Sequence, residues 1–199
     1  MRFTASGLVC LFGLLLASCS PSVDYSGDLG SSSASGPKRD TSLLQITDSG
    51  VGGITVDTTY GPKSIAAVMP GYTTDGIQSA VETTTEWATV VFNADGFQVL
   101  QAFKAKNGKV REVHGVSPFL QGPNGERIDM SFDQIGLSRR NCRVGKALWR
   151  GMAICQAKNT SNVELVFAIP QYQGPFDRLP PDDELRQATL QRILWTPNA

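Results

Sequence analysis

Trp87-Ala88-Thr89-Val90-Val91-Phe92, Asn93-Ala94-Asp95-Gly96 and Phe97-Gln98-Val99-Leu100-Gln101-Ala102-Phe103 follow one another without a break. Two runs rich in β-branched and aromatic residues flank a turn whose Asp-Gly step supplies the positive φ that a tight hairpin needs. Lys106-Asn107-Gly108-Lys109 repeats the signal with Asn-Gly and leads into Val110-Arg111-Glu112-Val113-His114-Gly115-Val116. The segment therefore predicts an antiparallel meander. The period of two puts Phe97, Val99 and Phe103 on one face and Gln98, Leu100 and Ala102 on the other. Upstream, Ile77 to Thr84 is expected to add a further strand before Trp87.

Short helices punctuate the strands. Pro62 suits the first turn of a helix from Pro62 to Met69, and Pro70-Gly71 ends it. Ser131 with Gln134 three residues on predicts a capping box for a helix from Ser131 to Arg139. Beyond it, 151–157 and 163–169 read as strands around the turn Asn159-Thr160-Ser161-Asn162. Pro180-Pro181-Asp182-Asp183-Glu184 places acids where a helix amino end favours them, and Thr189 to Trp195 reads as a closing strand. Val56-Asp57-Thr58-Thr59-Tyr60 before the first helix is loosely echoed by Ile128-Asp129-Met130-Ser131-Phe132 at the second. Such an echo is what a degenerate repeat of a helix-plus-sheet unit leaves behind. The expected fold is α+β, predominantly antiparallel sheet with two or three short helices.

The amino end carries a different signal. Arg2 precedes the apolar run Leu8 to Ala17, and Leu16-Ala17-Ser18-Cys19 follows. This layout resembles the bacterial lipoprotein signal, in which cleavage before the cysteine frees an amine for acylation and the sulfur takes a diacylglyceryl group. The other readings are a spanning helix and an ordinary secretory signal. A span needs about 20 apolar residues, and the run is half that; an ordinary signal does not require cysteine after the cut. By the resemblance, residues 1–18 are removed, Cys19 is lipidated with chains such as palmitate, and Ser20 directs the protein to the outer membrane, facing the periplasm. Residues 19–42 then form a lipidated, Ser/Gly-rich tether, a coil spanning on the order of 25–30 Å. Residues 43–199 form a single globular domain.

Charge and cysteines narrow the function classes. Without residues 1–18 the chain has 17 basic and 18 acidic residues, which gives no general field for nucleic acid. Cys10 leaves with the signal and Cys19 carries lipid, so Cys142 and Cys155 remain as a pair in an oxidising compartment. A disulfide between them is expected to stabilise by roughly 3 kcal/mol in the chain-entropy model; the alternative is two separate buried thiols. The spacing excludes a CxxC redox pair. With His114 as the lone histidine, zinc or another metal is not expected, and neither is an organic cofactor.

His114 is also the lone candidate for a histidine base. It lies in a strand with alternating neighbours, where a structural hydrogen bond is the simpler role, and neither G-x-S-x-G nor H-E-x-x-H occurs. Asp182, Asp183 and Glu184 suit a helix start better than a paired-carboxylate site. Arg139, Arg140, Arg143, Lys146 and Arg150 form a cluster with no acid between them. This is either a solvated loop or a patch for an anionic partner such as lipid phosphate, glycan or an acidic protein face. Trp149 within it adds apolar contact or belongs to the core.

Gly50-Val51-Gly52 with Ile54, Ile65-Ala66-Ala67-Val68 into Pro70-Gly71-Tyr72, the cysteine pair, and Pro181-Asp182-Asp183 through Arg192-Ile193-Leu194-Trp195 occur in an order that resembles the YfeY-like family of RpoE-regulated outer-membrane lipoproteins. The resemblance spans about residues 46–196. It implies envelope-stress regulation and an outer-membrane location, and it transfers no catalytic residue, because the family has no known molecular function. The functional expectation is a non-catalytic module that binds an envelope protein or other envelope component. A carrier of a small apolar ligand is the alternative, with a hydrolase behind it.

Overall fold

The computed structural model describes residues 43–197, which fall within one compact unit, residues 41–199. The signal, Cys19 and the tether lie outside the described residues. No helix among the described residues is long and apolar enough to cross a membrane.

The sequence motif that opens the chain's central portion builds the first half of a large sheet. Strands β3 (Thr73–Ala80), β4 (Thr85–Phe92), β5 (Gln98–Lys104) and β6 (Val110–Gly115) pair in turn as an antiparallel meander. Both predicted turns form: Gly96 and Gly108 adopt φ of 80° and 82°, and the Asn93 side-chain oxygen accepts from Phe97 N at 2.8 Å. A second meander follows in β8 (Cys142–Val144), β9 (Ala153–Gln156), β10 (Val163–Ala168) and β11 (Thr189–Trp195). The last strand of each meander pairs antiparallel with the other, Leu194 opposite His114, giving the order β3-β4-β5-β6-β11-β10-β9-β8. The predicted closing strand β11 is thus central, bonded on both sides. Helix α1 (Pro62–Val68) precedes the first meander and α2 (Phe132–Ile135) the second. The second meander differs from the first in that a helix, residues 182–187, is inserted between its last two strands.

A small second sheet, β2-β1-β7, is made by β1 (Leu44–Thr47), β2 (Gly50–Val51) and β7 (Leu120–Gln121). It packs with α1, α2 and α3 (Asp182–Gln187) on one face of the large sheet, where Ile46, Ile65, Leu120, Phe132 and Leu185 meet Leu100, Leu165 and Trp195. Gly50, one of the glycines of the family resemblance, has no room for a side chain. A Cβ there would lie 2.1 Å from the Ile54 carbonyl oxygen.

Three expectations are corrected. Strand β3 starts at Thr73, and residues 81–84 are the turn that joins it to β4, closed by Val81 N to Thr84 O at 3.0 Å. It is an edge strand, so it needs no apolar run to be held. Helix α2 forms its capping box, Gln134 N to Ser131 Oγ at 3.1 Å and Ser131 N to Gln134 Oε1 at 2.8 Å. It stops at Gly136, which takes the left-handed conformation, and a separate 3₁₀ turn, Arg139–Asn141, follows. Finally, a β-bulge opposes Val91 to Leu100 but Phe92 to Gln98. The unpaired Val99 joins Leu100 in the main core, whereas Phe103 packs with Ala88 and Val81 on the other face. A strict period of two fails across such an inserted residue.

Candidate functional site: a charged cleft on the second face of the sheet

The second face of the large sheet is covered by strand side chains and the 3₁₀ turn Ala147–Trp149, in two small clusters around Ile154, Val166 and Leu194, and around Ala88 and Phe103. Between them lies His114, completely buried. Its ring centroid is 4.6 Å from that of Phe103 and 5.4 Å from Trp149. Glu112 shares its face of β6 by the period of two, and His114 Nε2 lies 2.5 Å from Glu112 Oε1. Arg192, reaching over from β11, points Nη1 at His114 Nδ1 at 3.5 Å. Because the guanidinium can only donate, these partners place the histidine proton on Nε2.

The network continues in both directions. Arg192 Nη1 donates to Gln101 Oε1 at 3.1 Å, which also accepts from Ser79 Oγ at 2.6 Å. The Arg192 guanidinium lies 5.8 Å from the Trp149 ring centroid. Arg111, the inserted residue of a bulge in β6, grips Glu86 with both Nη atoms at 3.1 and 3.2 Å. Its Nε lies 3.6 Å from Glu112 Oε2. Burial drives the pKa of His114 down, outweighing Glu112, so the imidazole stays neutral. Burial opposes ionisation of Glu112, but the His114 hydrogen bond and Arg111 overcome it and hold the carboxyl below its ordinary range. Arg192 is lowered by burial alone.

The two edge strands of the sheet are fastened to each other over this face. Glu82, in the β3–β4 turn, accepts from Arg143 Nη1 and Nη2 of β8 at 2.7 and 3.0 Å and from Lys146 N at 2.8 Å. Its carbonyl oxygen accepts from Leu148 N at 3.0 Å. This clasp bounds an open cleft of about 350 Å³, walled by Glu82, Glu86, Glu112, Glu164, Arg111 and Arg143, with Trp149 and Leu194 as apolar surface. Four carboxylates thus face two guanidinium groups. Glu164 is the least satisfied. Arg143 commits both Nη atoms to Glu82 and approaches Glu164 Oε2 only at 3.6 Å. Burial raises the Glu164 pKa, and Glu82 and Glu112 add to the rise against the pull of Arg143.

The expected basic patch divides. Arg143 serves the clasp, and Arg139 fastens the segment ahead of α3, donating to the carbonyls of Leu179 and Pro180 and pairing with Asp182 at 3.3 Å. Arg140, Lys146 and Arg150 have exposed side chains with no ion pair among the described residues. Trp149 is buried. Cys142 and Cys155 are joined by a disulfide across β8 and β9, directly opposite one another. Among the described residues no group of three or more His, Cys, Asp or Glu is placed to hold a metal ion.

These features define a mainly antiparallel α+β domain with a double-meander sheet, one face buried under helices and the other carrying a charged cleft. The chain belongs to the family described as protein of unknown function (DUF1131), whose model matches residues 31–197. The fold is similar to that in the crystal structure of the uncharacterized protein yfeY from Escherichia coli, with a TM-score of 0.59 and 18% sequence identity. That match covers 76% of this chain and 99% of the other. No curated protein matches the chain. The expected relationship to YfeY-like proteins holds, and at this identity the likeness speaks for the fold alone.

Proposed function

We propose that the protein is a non-catalytic binding module, anchored through Cys19 to the outer membrane and facing the periplasm, that takes part in the envelope-stress response. Its recognition site is the second-face cleft, and the group it recognises is cationic, an amine or guanidinium carried by an envelope protein or peptide. Glu164 carries this reading: a half-buried carboxylate at the cleft wall whose nearest cation is already committed elsewhere. A ligand cation completes its pairing. Three further observations fit. Both His114 nitrogens are engaged and the ring has no exposed surface, which suits a structural role rather than a general base. The charged walls suit a polar ligand better than an apolar cargo. The resemblance at the amino end supplies the anchor.

A photo-crosslinking side chain in place of Thr83, on the cleft wall, tests this in cells. The expected result is an adduct with an envelope component that disappears when Glu164→Gln is added. An adduct indifferent to Glu164→Gln, or none above the Cys19→Ser chain, overturns the reading. The exposed Arg140, Lys146 and Arg150 favour a second one, contact with an anionic surface. Unchanged envelope binding by their triple serine variant at low and high salt removes it.

A further inference from the structure

Phe97 and Phe119 are 55% and 43% exposed, and yet they lie against each other with ring centroids 5.5 Å apart. One sits at the end of the β4–β5 turn, the other in the loop after β6, so the fold brings two large apolar side chains from separate segments to one surface spot. Arg127 joins them there, its Nη2 donating to the carbonyl of Pro118 at 3.0 Å. Leu44, the first residue of β1, donates its backbone N–H to the carbonyl of Phe119 at 3.0 Å. The chain arriving from the amino end therefore enters the domain beside the aromatic pair.

We infer that Phe97, Phe119 and Arg127 form a membrane-contact site that seats the domain on the bilayer surface. The inference rests on the anchored reading above for its biological setting, but its chemistry stands on this spot alone. Apolar rings placed side by side on a protein surface gain by entering the boundary between head groups and acyl chains, and an adjacent guanidinium is drawn to lipid phosphate. The contact is shallow, because the acidic Asp95 belongs to the same turn as Phe97. A two-ring contact is weak by itself but measurable against millimolar lipid. On the anchored reading, attachment at Cys19 makes the contact intramolecular and raises its effective concentration, so that a weak contact is well populated.

This seating orients the binding site. The aromatic pair lies at the Phe92 end of β4, whereas Glu82 and Glu86 lie at the Thr85 end. β4 has eight residues, so at about 3.4 Å per step its two ends are about 24 Å apart. The cleft then lies at the end of the strand remote from the lipid.

The test uses residues 20–199, which contain the whole compact unit and neither the signal nor Cys19. Vesicles of phosphatidylethanolamine and phosphatidylglycerol are the probe, with co-sedimentation as the readout. The expected result is measurable partitioning that falls about tenfold in Phe97→Ser/Phe119→Ser and stays unchanged in Val56→Ser, an exposed valine elsewhere. Arg127→Glu is expected to weaken binding only when phosphatidylglycerol is present. Equal partitioning of the double variant, or no partitioning of the parent, overturns the inference; thermal melts of both proteins confirm that the fold is retained. Failure of the anchor reading shows separately, as an unmodified Cys19 in the intact mass of the full chain extracted from membranes.

Discussion

His114 and Glu164 show how burial divides one face of a sheet into a structural and a receptive part. His114 is enclosed by Phe103 and Trp149, and its two nitrogens couple Glu112 to Arg192. Replacing it with alanine leaves a cavity and two unsatisfied partners, a loss of about 2–4 kcal/mol, measurable by urea unfolding. Its pH dependence has a definite sign. The folded pKa lies below the unfolded value of 6.5, so between the two the unfolded chain binds the additional proton. Stability therefore falls as pH drops from 6.5 toward the folded value, and a His114→Phe variant is expected to lack that slope. Stability that rises on acidification in this window would contradict a buried neutral imidazole. The Glu112–His114 alternation was visible in the strand pattern. Arg192 was not, because it lies 78 residues from His114 and reaches it only through the β6–β11 pairing.

Among the elements, β8 decides whether the cleft has a wall. This three-residue edge strand is held by the ladder to β9, by Cys142–Cys155 and by the Arg143–Glu82 clasp. Removing the disulfide, whose cysteines are 13 residues apart, is expected to cost about 3 kcal/mol. Glu82→Ala is expected to cost about 1 kcal/mol, since its bidentate partner is partly exposed. Both fix the same short strand, so the combined variant is expected to lose at least about 0.5 kcal/mol less than the two single losses together. Strict additivity in a double-mutant cycle would show that disulfide and clasp act independently. Element types were legible wherever turn chemistry and periodicity agreed, as at Asp95-Gly96, Asn107-Gly108 and the Ser131–Gln134 box. Element limits were lost where one residue overrode the pattern. Gly136 shortened α2, and the bulge at Val99 sent Val99 and Phe103 to opposite faces. The short strands β1, β2 and β7 carry too few residues for a period to register.

Over the whole molecule, the fold class and the division into anchor, tether and domain could be proposed from the chain, because those signals are local and compositional. The cleft could not. Glu82 and Arg143 are 61 residues apart, and they meet only because the two edges of an eight-stranded sheet fold toward one another. The predicted basic cluster split for the same reason: Arg139 and Arg143 found carboxylates that adjacency in sequence does not reveal. What emerges is a domain with a lipid-seeking aromatic corner at one end of the first meander and an acid-rich cleft at the other. Titration of the isotopically labelled domain by NMR reads out whether the cleft receives a cation at Glu164. Blocked lysine, N-acetyl-lysine methylamide, is expected to shift resonances of the cleft residues saturably, whereas the blocked glutamate counterpart has no effect. Glu164→Gln should abolish the lysine response while leaving the fold intact, and it should raise stability slightly at neutral pH because a carboxylate ionised against its burial is removed. A cleft that ignores the lysine probe, or that responds equally after Glu164→Gln, has no cation site at Glu164.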